Sequence, residues 1–159
     1  MAVSVRLNGL PAGILDAHAS GDMTFSYTPE RINASKHKKP NGYPISLSMP
    51  VRKEPYAQDR TGPFFRGILP DNSQIKHVLA TYLEVNEDND YAMLTELGRE
   101  SPGAIGIFPL DDEIVPEELI RPSYRALGET ELADLIQKLP SRPLFVDAEG
   151  ELRISLAGV

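Results

Sequence analysis

The dipeptide Asn8-Gly9, set between two apolar runs, constrains this chain more than any other feature of its sequence. Val3, Val5 and Leu7 precede it and alternate with polar neighbours, the period of a half-buried strand. Asn and Gly both tolerate positive φ, which a two-residue hairpin turn demands. The chain must double back there, and Gly13-Ile14-Leu15 reads as the return strand. Met23, Phe25 and Tyr27 alternate again and give a third strand. The sheet is therefore expected to grow by antiparallel hairpins.

Further along, Thr28-Pro29-Glu30 reads as a helix start, with Thr28 as the cap and proline in the first turn. Residues 35–42 are polar and read as a loop carrying Lys36, His37, Lys38 and Lys39. Ile45, Leu47 and Met49 alternate with serines, which predicts a strand ending at Pro50. Residues 52–63 are of mixed charge with Pro55, Gly62 and Pro63, and read as a long connection. Ile75, Val78, Leu79, Tyr82 and Leu83 fall at helical spacing, so they predict one buried face, with Asn72 or Ser73 as cap. A helix from Asp90 to Leu97 points Tyr91, Leu94 and Leu97 inward and stops at Gly98. Ala104 to Phe108 reads as a short strand ended by Pro109. Leu132, Leu135, Ile136 and Leu139 mark a helix capped by Thr130 and stopped by Pro140. Leu144–Val146 and Leu152–Leu156 read as a terminal hairpin around the turn 147–150. The expected class is α+β, an antiparallel, partly barrel-like sheet of hairpins flanked by about three helices.

Length and composition bound the function. The chain has 159 residues, room for one domain with a real core. It has no cysteine, which removes thiolate nucleophiles, disulfides and cysteine-held zinc, and fits a reducing compartment. The N-terminus lacks a basic region followed by an apolar stretch, and no apolar run is long enough to span a membrane, so a cytoplasmic protein is expected. The net charge of −7 argues against nucleic-acid binding through the overall field, although the run from Lys36 to Lys39 could touch phosphates locally; a solvated loop is the favoured reading. His18, His37 and His77 share no metal-ligand spacing, and the acidic run 84–90 lacks the central glycine and distal glutamate of a calcium loop. No catalytic residue and no metal site is assigned. Residues 98–103 read as a helix stop and a turn, in which Arg99 and Glu100 pair or face a partner. Ser155-Leu156-Ala157-Gly158 is a strand running into small residues, where backbone amides can approach a phosphate.

Four segments together resemble one family. Phe64-Phe65-Arg66-Gly67-Ile68-Leu69-Pro70-Asp71 resembles the "FF…LLPD" segment of HipA-type proteins, and Tyr43 to Pro50 resembles their "PLSLSLP" strand. Leu97-Gly98-Arg99-Glu100-Ser101-Pro102-Gly103-Ala104 resembles their "GRDSVGA" turn, and Arg153 to Gly158 their glycine-rich loop. The resemblance implies a serine/threonine kinase toxin of a bacterial toxin–antitoxin pair, partnered by a HipB-like DNA-binding antitoxin. It makes residues 1–140 the N-terminal subdomain and 141–159 a hairpin leading into the glycine loop. It makes Gly98, Arg99, Glu100, Ser101 and Gly103 the turn motif, Ser155 the autophosphorylated serine, and Ala157 and Gly158 the start of the nucleotide loop. ATP and magnesium belong to the full-length family. No cofactor is expected in this chain, because the catalytic aspartate and metal ligands lie in the family's C-terminal part. The expectation is an N-terminal portion that packs on a kinase body and is inactive alone. The alternative is a free-standing protein that binds and inhibits a separately encoded, shortened kinase.

Overall fold

A computed structural model describes residues 1–98, 104–112 and 126–138. Strands β1 (Ala2–Leu7) and β2 (Leu10–Ala17) form the hairpin that Asn8-Gly9 demands. Asn8 sits at φ 51° and Gly9 at φ 76°, so both turn residues are left-handed, and Leu7 pairs directly with Leu10. A bulge between Val5 and Arg6 shifts the register by one residue, which turns Ala12 into the interior. Strand β3 (Met23–Tyr27) pairs with β2, and β4 (Ile105–Pro109) pairs with the other side of β1. All pairings are antiparallel and the order is β3-β2-β1-β4. Among the described residues this sheet is open and does not close into a barrel.

One face of the sheet is apolar. Val3, Val5, Leu15, Phe25 and Ile107 are buried on it, while Ile14 on the opposite face is 40% exposed. Phe25 stands at the centre, edge-on to Tyr27 at 4.9 Å between ring centroids and tilted against Phe65 at 5.8 Å. Such aromatic pairs add to the stabilisation from burial alone.

The described residues hold five α-helices rather than about three. Helix α1 (Pro29–Lys36) begins as its sequence dictates, with the Thr28 hydroxyl accepting from the Arg31 amide. Helix α2 (Gln58–Arg66) occupies the second half of what reads as a connection. Its interior Pro63 removes one backbone bond, yet tertiary contacts hold it: Thr61 is fully buried and donates to the Tyr56 carbonyl, and Gln58 accepts from the Met23 amide. Tyr56 exchanges both backbone bonds with Phe25, covering part of the β3 edge.

Helix α3 (Ser73–Tyr82) is capped by the Asn72 side chain, but its buried face is shifted. Leu79 and Ala80 are inward, whereas Val78 and Tyr82 are about half exposed at 48% and 50%. Helix α4 (Asp90–Leu97) buries Tyr91, Leu94 and Leu97 as expected, with Met93 added. Helix α5 (Glu129–Lys138) starts before Thr130: the Leu132 amide already bonds the Gly128 carbonyl, so Gly128 holds the cap position.

The predicted strand at Ile45–Met49 is a tight turn instead. Ser46 bridges Met49, and the Ser46 hydroxyl accepts from the Ser48 amide, closing a local loop that competes with strand pairing. Ile45 and Met49 are buried and Leu47 is 96% exposed, so the alternation records a turn with two anchors. The terminal hairpin and the 1–140/141–159 division fall outside the described residues.

Candidate functional site

Three constellations concentrate the polar chemistry of the described residues. The first surrounds Arg31, on α1. Its side chain is almost wholly buried and donates to three backbone carbonyls: Tyr43 at 3.3 Å, Leu10 at 3.2 Å and Pro11 at 3.1 Å. Burial pulls its guanidinium below the ordinary arginine value, and its Nε has no hydrogen-bond partner among the described residues. It forms part of the wall of a cavity of about 510 Å³ that Tyr43 and Leu10 also line. The neighbouring Tyr27 hydroxyl donates to the Met49 carbonyl and accepts from the Ile45 amide. Burial pushes that phenol up to about 12. Arg31 and Tyr27 thus fasten the turn of residues 43–49 to the sheet through neutral partners.

The second constellation is ionic. Asp90 opens α4 and takes Arg66 of α2 at 2.7 Å and Lys76 of α3 at 2.8 Å. Burial works to raise the Asp90 carboxyl, but the bonds from Lys76 and Arg66 outweigh it and hold the group below the usual carboxylate range. One side chain therefore ties three helices. Asp90 and Arg66 also border a cleft of about 590 Å³, with His18 and Tyr91 on other walls. The acidic run 84–90 serves this end: Asn89 caps α4 by accepting from the Ala92 amide, and Glu87 meets His77 at 2.7 Å. His18 bonds Thr24 and His37 bonds the Asn33 carbonyl, so the three histidines act locally. Among the described residues no three His, Asp or Glu side chains converge as a metal site.

The third is the approach to the turn motif. Gly98 ends α4 with φ −64°, a right-handed helical conformation that any residue adopts. Its glycine character has another cause. A Cβ there would lie 2.8 Å from the Ile107 carbonyl oxygen, so α4 can meet β4 this closely only without a side chain. Gly98 thereby sets how closely the end of α4 approaches β4. Arg99, Glu100, Ser101 and Gly103 lie outside the described residues, as do Ser155, Ala157 and Gly158. The structure thus places one of the eight residues singled out from the sequence. Arg31 and Asp90 were not among the eight: no local pattern marks a buried arginine, and Asp90 is indistinguishable from its acidic neighbours without knowledge of Arg66 and Lys76.

Residues 3–108 match the model of the HipA N-terminal domain. The chain belongs to the HipA N-terminal domain family. The match runs from β1 through β4 and takes in all four strands but for Ala2 and Pro109 at their ends, so the family relation covers the described core. The chain is 34% identical over 161 residues to protein Y4mE of Sinorhizobium fredii, covering 98% of this chain and 36% of that protein. It is 26% identical over 165 residues to the serine/threonine-protein kinase toxin HipA of Shewanella oneidensis, covering 100% of this chain and 34% of the toxin. An uncharacterised Haemophilus influenzae protein is 29% identical over 83 residues, which span 52% of this chain and 69% of that protein. In the solved complex of HipA, HipB and operator DNA from Shewanella oneidensis, one chain superposes with a TM-score of 0.65 over 89% of this chain and 29% of its own length. At 21% identity that likeness speaks for the fold. The chain spans about a third of the first two relatives. Among the described residues no helix is long and apolar enough to cross a membrane.

Proposed function

We propose that this HipA N-terminal domain is the N-terminal portion of a serine/threonine kinase toxin of a toxin–antitoxin system, and that it works by docking rather than by chemistry of its own. The observation that carries this reading is the alignment of the entire chain with a third of the HipA toxin. The described polar groups fit it. Arg31 and Asp90 are both consumed by structural bonds, which leaves neither as an acid, base or nucleophile. Phosphoryl transfer needs a positioned metal and a group that orients the nucleophile, and the kinase body supplies both in this reading. Ser155 is then the serine that receives phosphate, and Ala157 and Gly158 begin the loop that meets the nucleotide phosphates. A HipB-like antitoxin is the partner of the assembled toxin.

The test is phosphate incorporation. Purified chain with magnesium and ATP should incorporate none, and should acquire it at Ser155 once an active HipA-type kinase body is added. A Ser155→Ala variant should stay unlabelled. Labelling of the chain alone, or labelling undiminished in the variant, would overturn the reading.

The Haemophilus match favours a second reading, a free-standing module that binds and inhibits a shortened kinase. The matched region leaves less than a third of that relative for any other domain. Under this reading the added chain lowers substrate phosphorylation by the shortened kinase. Under the first it leaves that rate unchanged or raises it.

A further inference from the structure

The charge of this chain is unevenly distributed. Between Arg31 and Lys53 lie six of its sixteen Lys and Arg residues and none of its 23 Asp and Glu residues. Two of the six are engaged: Arg31 is buried, and Arg52 lies over the Tyr56 ring at 3.7 Å. Lys36, Lys38 and Lys39 are exposed on one turn, and none of them has an ion-pair partner among the described residues.

The turn is held rigidly. The Lys39 amide bonds the Ala34 carbonyl at 3.0 Å and the Lys38 amide bonds the Ser35 carbonyl at 3.0 Å, the paired bonds of a Schellman helix end. The Gly42 amide bonds the Lys39 carbonyl, which closes the far side. In such an ending the residue beyond the cap is left-handed and is usually glycine, because a Cβ is disfavoured there. Here that residue is Lys38, at φ 52°. Glu84 ends α3 in the same conformation, at φ 55°, so what sets the α1 ending apart is three exposed lysines together on a turn with fixed geometry.

We infer that the turn of Lys36, Lys38 and Lys39 contacts the phosphate backbone of nucleic acid. Lysine suits phosphate as a point charge. Protein interfaces favour arginine and aromatic anchors over lysine, and residues 35–41 offer neither. A membrane surface would require an apolar face, which the turn also lacks. Contacts of this kind position a protein on nucleic acid without reading sequence. The remaining ten cations stand against 23 acids, so binding is confined to this face and depends steeply on salt. The inference is independent of the kinase reading.

The test is fluorescence anisotropy of the purified chain with labelled duplex and single-stranded oligonucleotides at low salt, titrated with KCl. Three phosphate contacts predict a slope of log K against log salt of roughly −2 to −3. Lys38→Gly should raise the Tm by relieving the left-handed lysine, yet reduce the magnitude of the slope by about 1. Lys36→Gln/Lys39→Gln should weaken binding at least tenfold with the Tm unchanged. Absence of binding at the lowest salt, or slopes unaltered in both variants, would overturn the inference. So would equal binding of polyglutamate at matched charge, which would assign the turn to acidic protein. Preference for duplex over single strand would tell which nucleic acid is held.

Discussion

The Arg31 and Asp90 constellations solve the same problem with opposite means. Each removes a charged side chain from water to join segments distant in sequence. Arg31 does so with three neutral carbonyls and, among the described residues, no carboxylate partner, at 2% exposure. Asp90 does so with two cations that remain partly in solvent, Arg66 at 57% and Lys76 at 25%. The first is insulated from salt and depends on geometry. The second is Coulombic, so screening and protonation both reach it. The sheet side of the molecule is thus locked by fixed dipoles, and the helical side by a network that responds to solution conditions.

Breaking the Arg31 lock should have the largest effect. Arg31→Ala leaves three carbonyls without their donor and removes a packed stem, an expected loss of about 2–4 kcal/mol. Arg31→Met keeps the stem, and should recover part of the loss in urea unfolding. Equal stability of Arg31→Met and the parent protein would mean that water replaces the donors.

Tyr27→Phe comes next, at about 1–2 kcal/mol, because two bonds to the turn of residues 43–49 are lost. It also carries a pH signature. The folded phenol titrates near 12, above its ordinary 10. Its contribution is therefore complete below pH 10 and is lost as pH rises toward 12. Thermal melts of the parent protein should fall over that window, and Tyr27→Phe should fall less.

Asp90→Asn should cost least, about 1 kcal/mol at low salt and less at high salt. A carboxylate held below its usual range contributes above that range and loses the contribution as pH falls through the folded value. The acid limb of the stability curve should therefore flatten in Asp90→Asn and stay unchanged in Tyr27→Phe. An identical acid limb in Asp90→Asn would remove Asp90 from the account.

The same contrast explains what was legible in the sequence. The hairpin at Asn8-Gly9, the cap at Thr28 and helix α4 are written in local chemistry, and each is where that chemistry puts it. Helix α2 was illegible because Pro63 and Gly62 argue locally against a helix, while Thr61 and Gln58 find the partners that favour it only once β3 is in place. The Ile45–Met49 alternation misled because an anchored turn and a strand can share a period of two. Gly98 reads locally as a stop, and its need for a missing Cβ depends on Ile107, which only folding brings near. The family was legible from segments, because motifs survive without knowledge of contacts.

The central claim is that this HipA N-terminal domain acts by docking on a kinase body. Size-exclusion chromatography with light scattering, on the chain mixed with a HipA-type kinase body lacking this domain, tests it most directly. The account predicts a one-to-one complex at micromolar concentrations. Separate elution of the two proteins at those concentrations would contradict it.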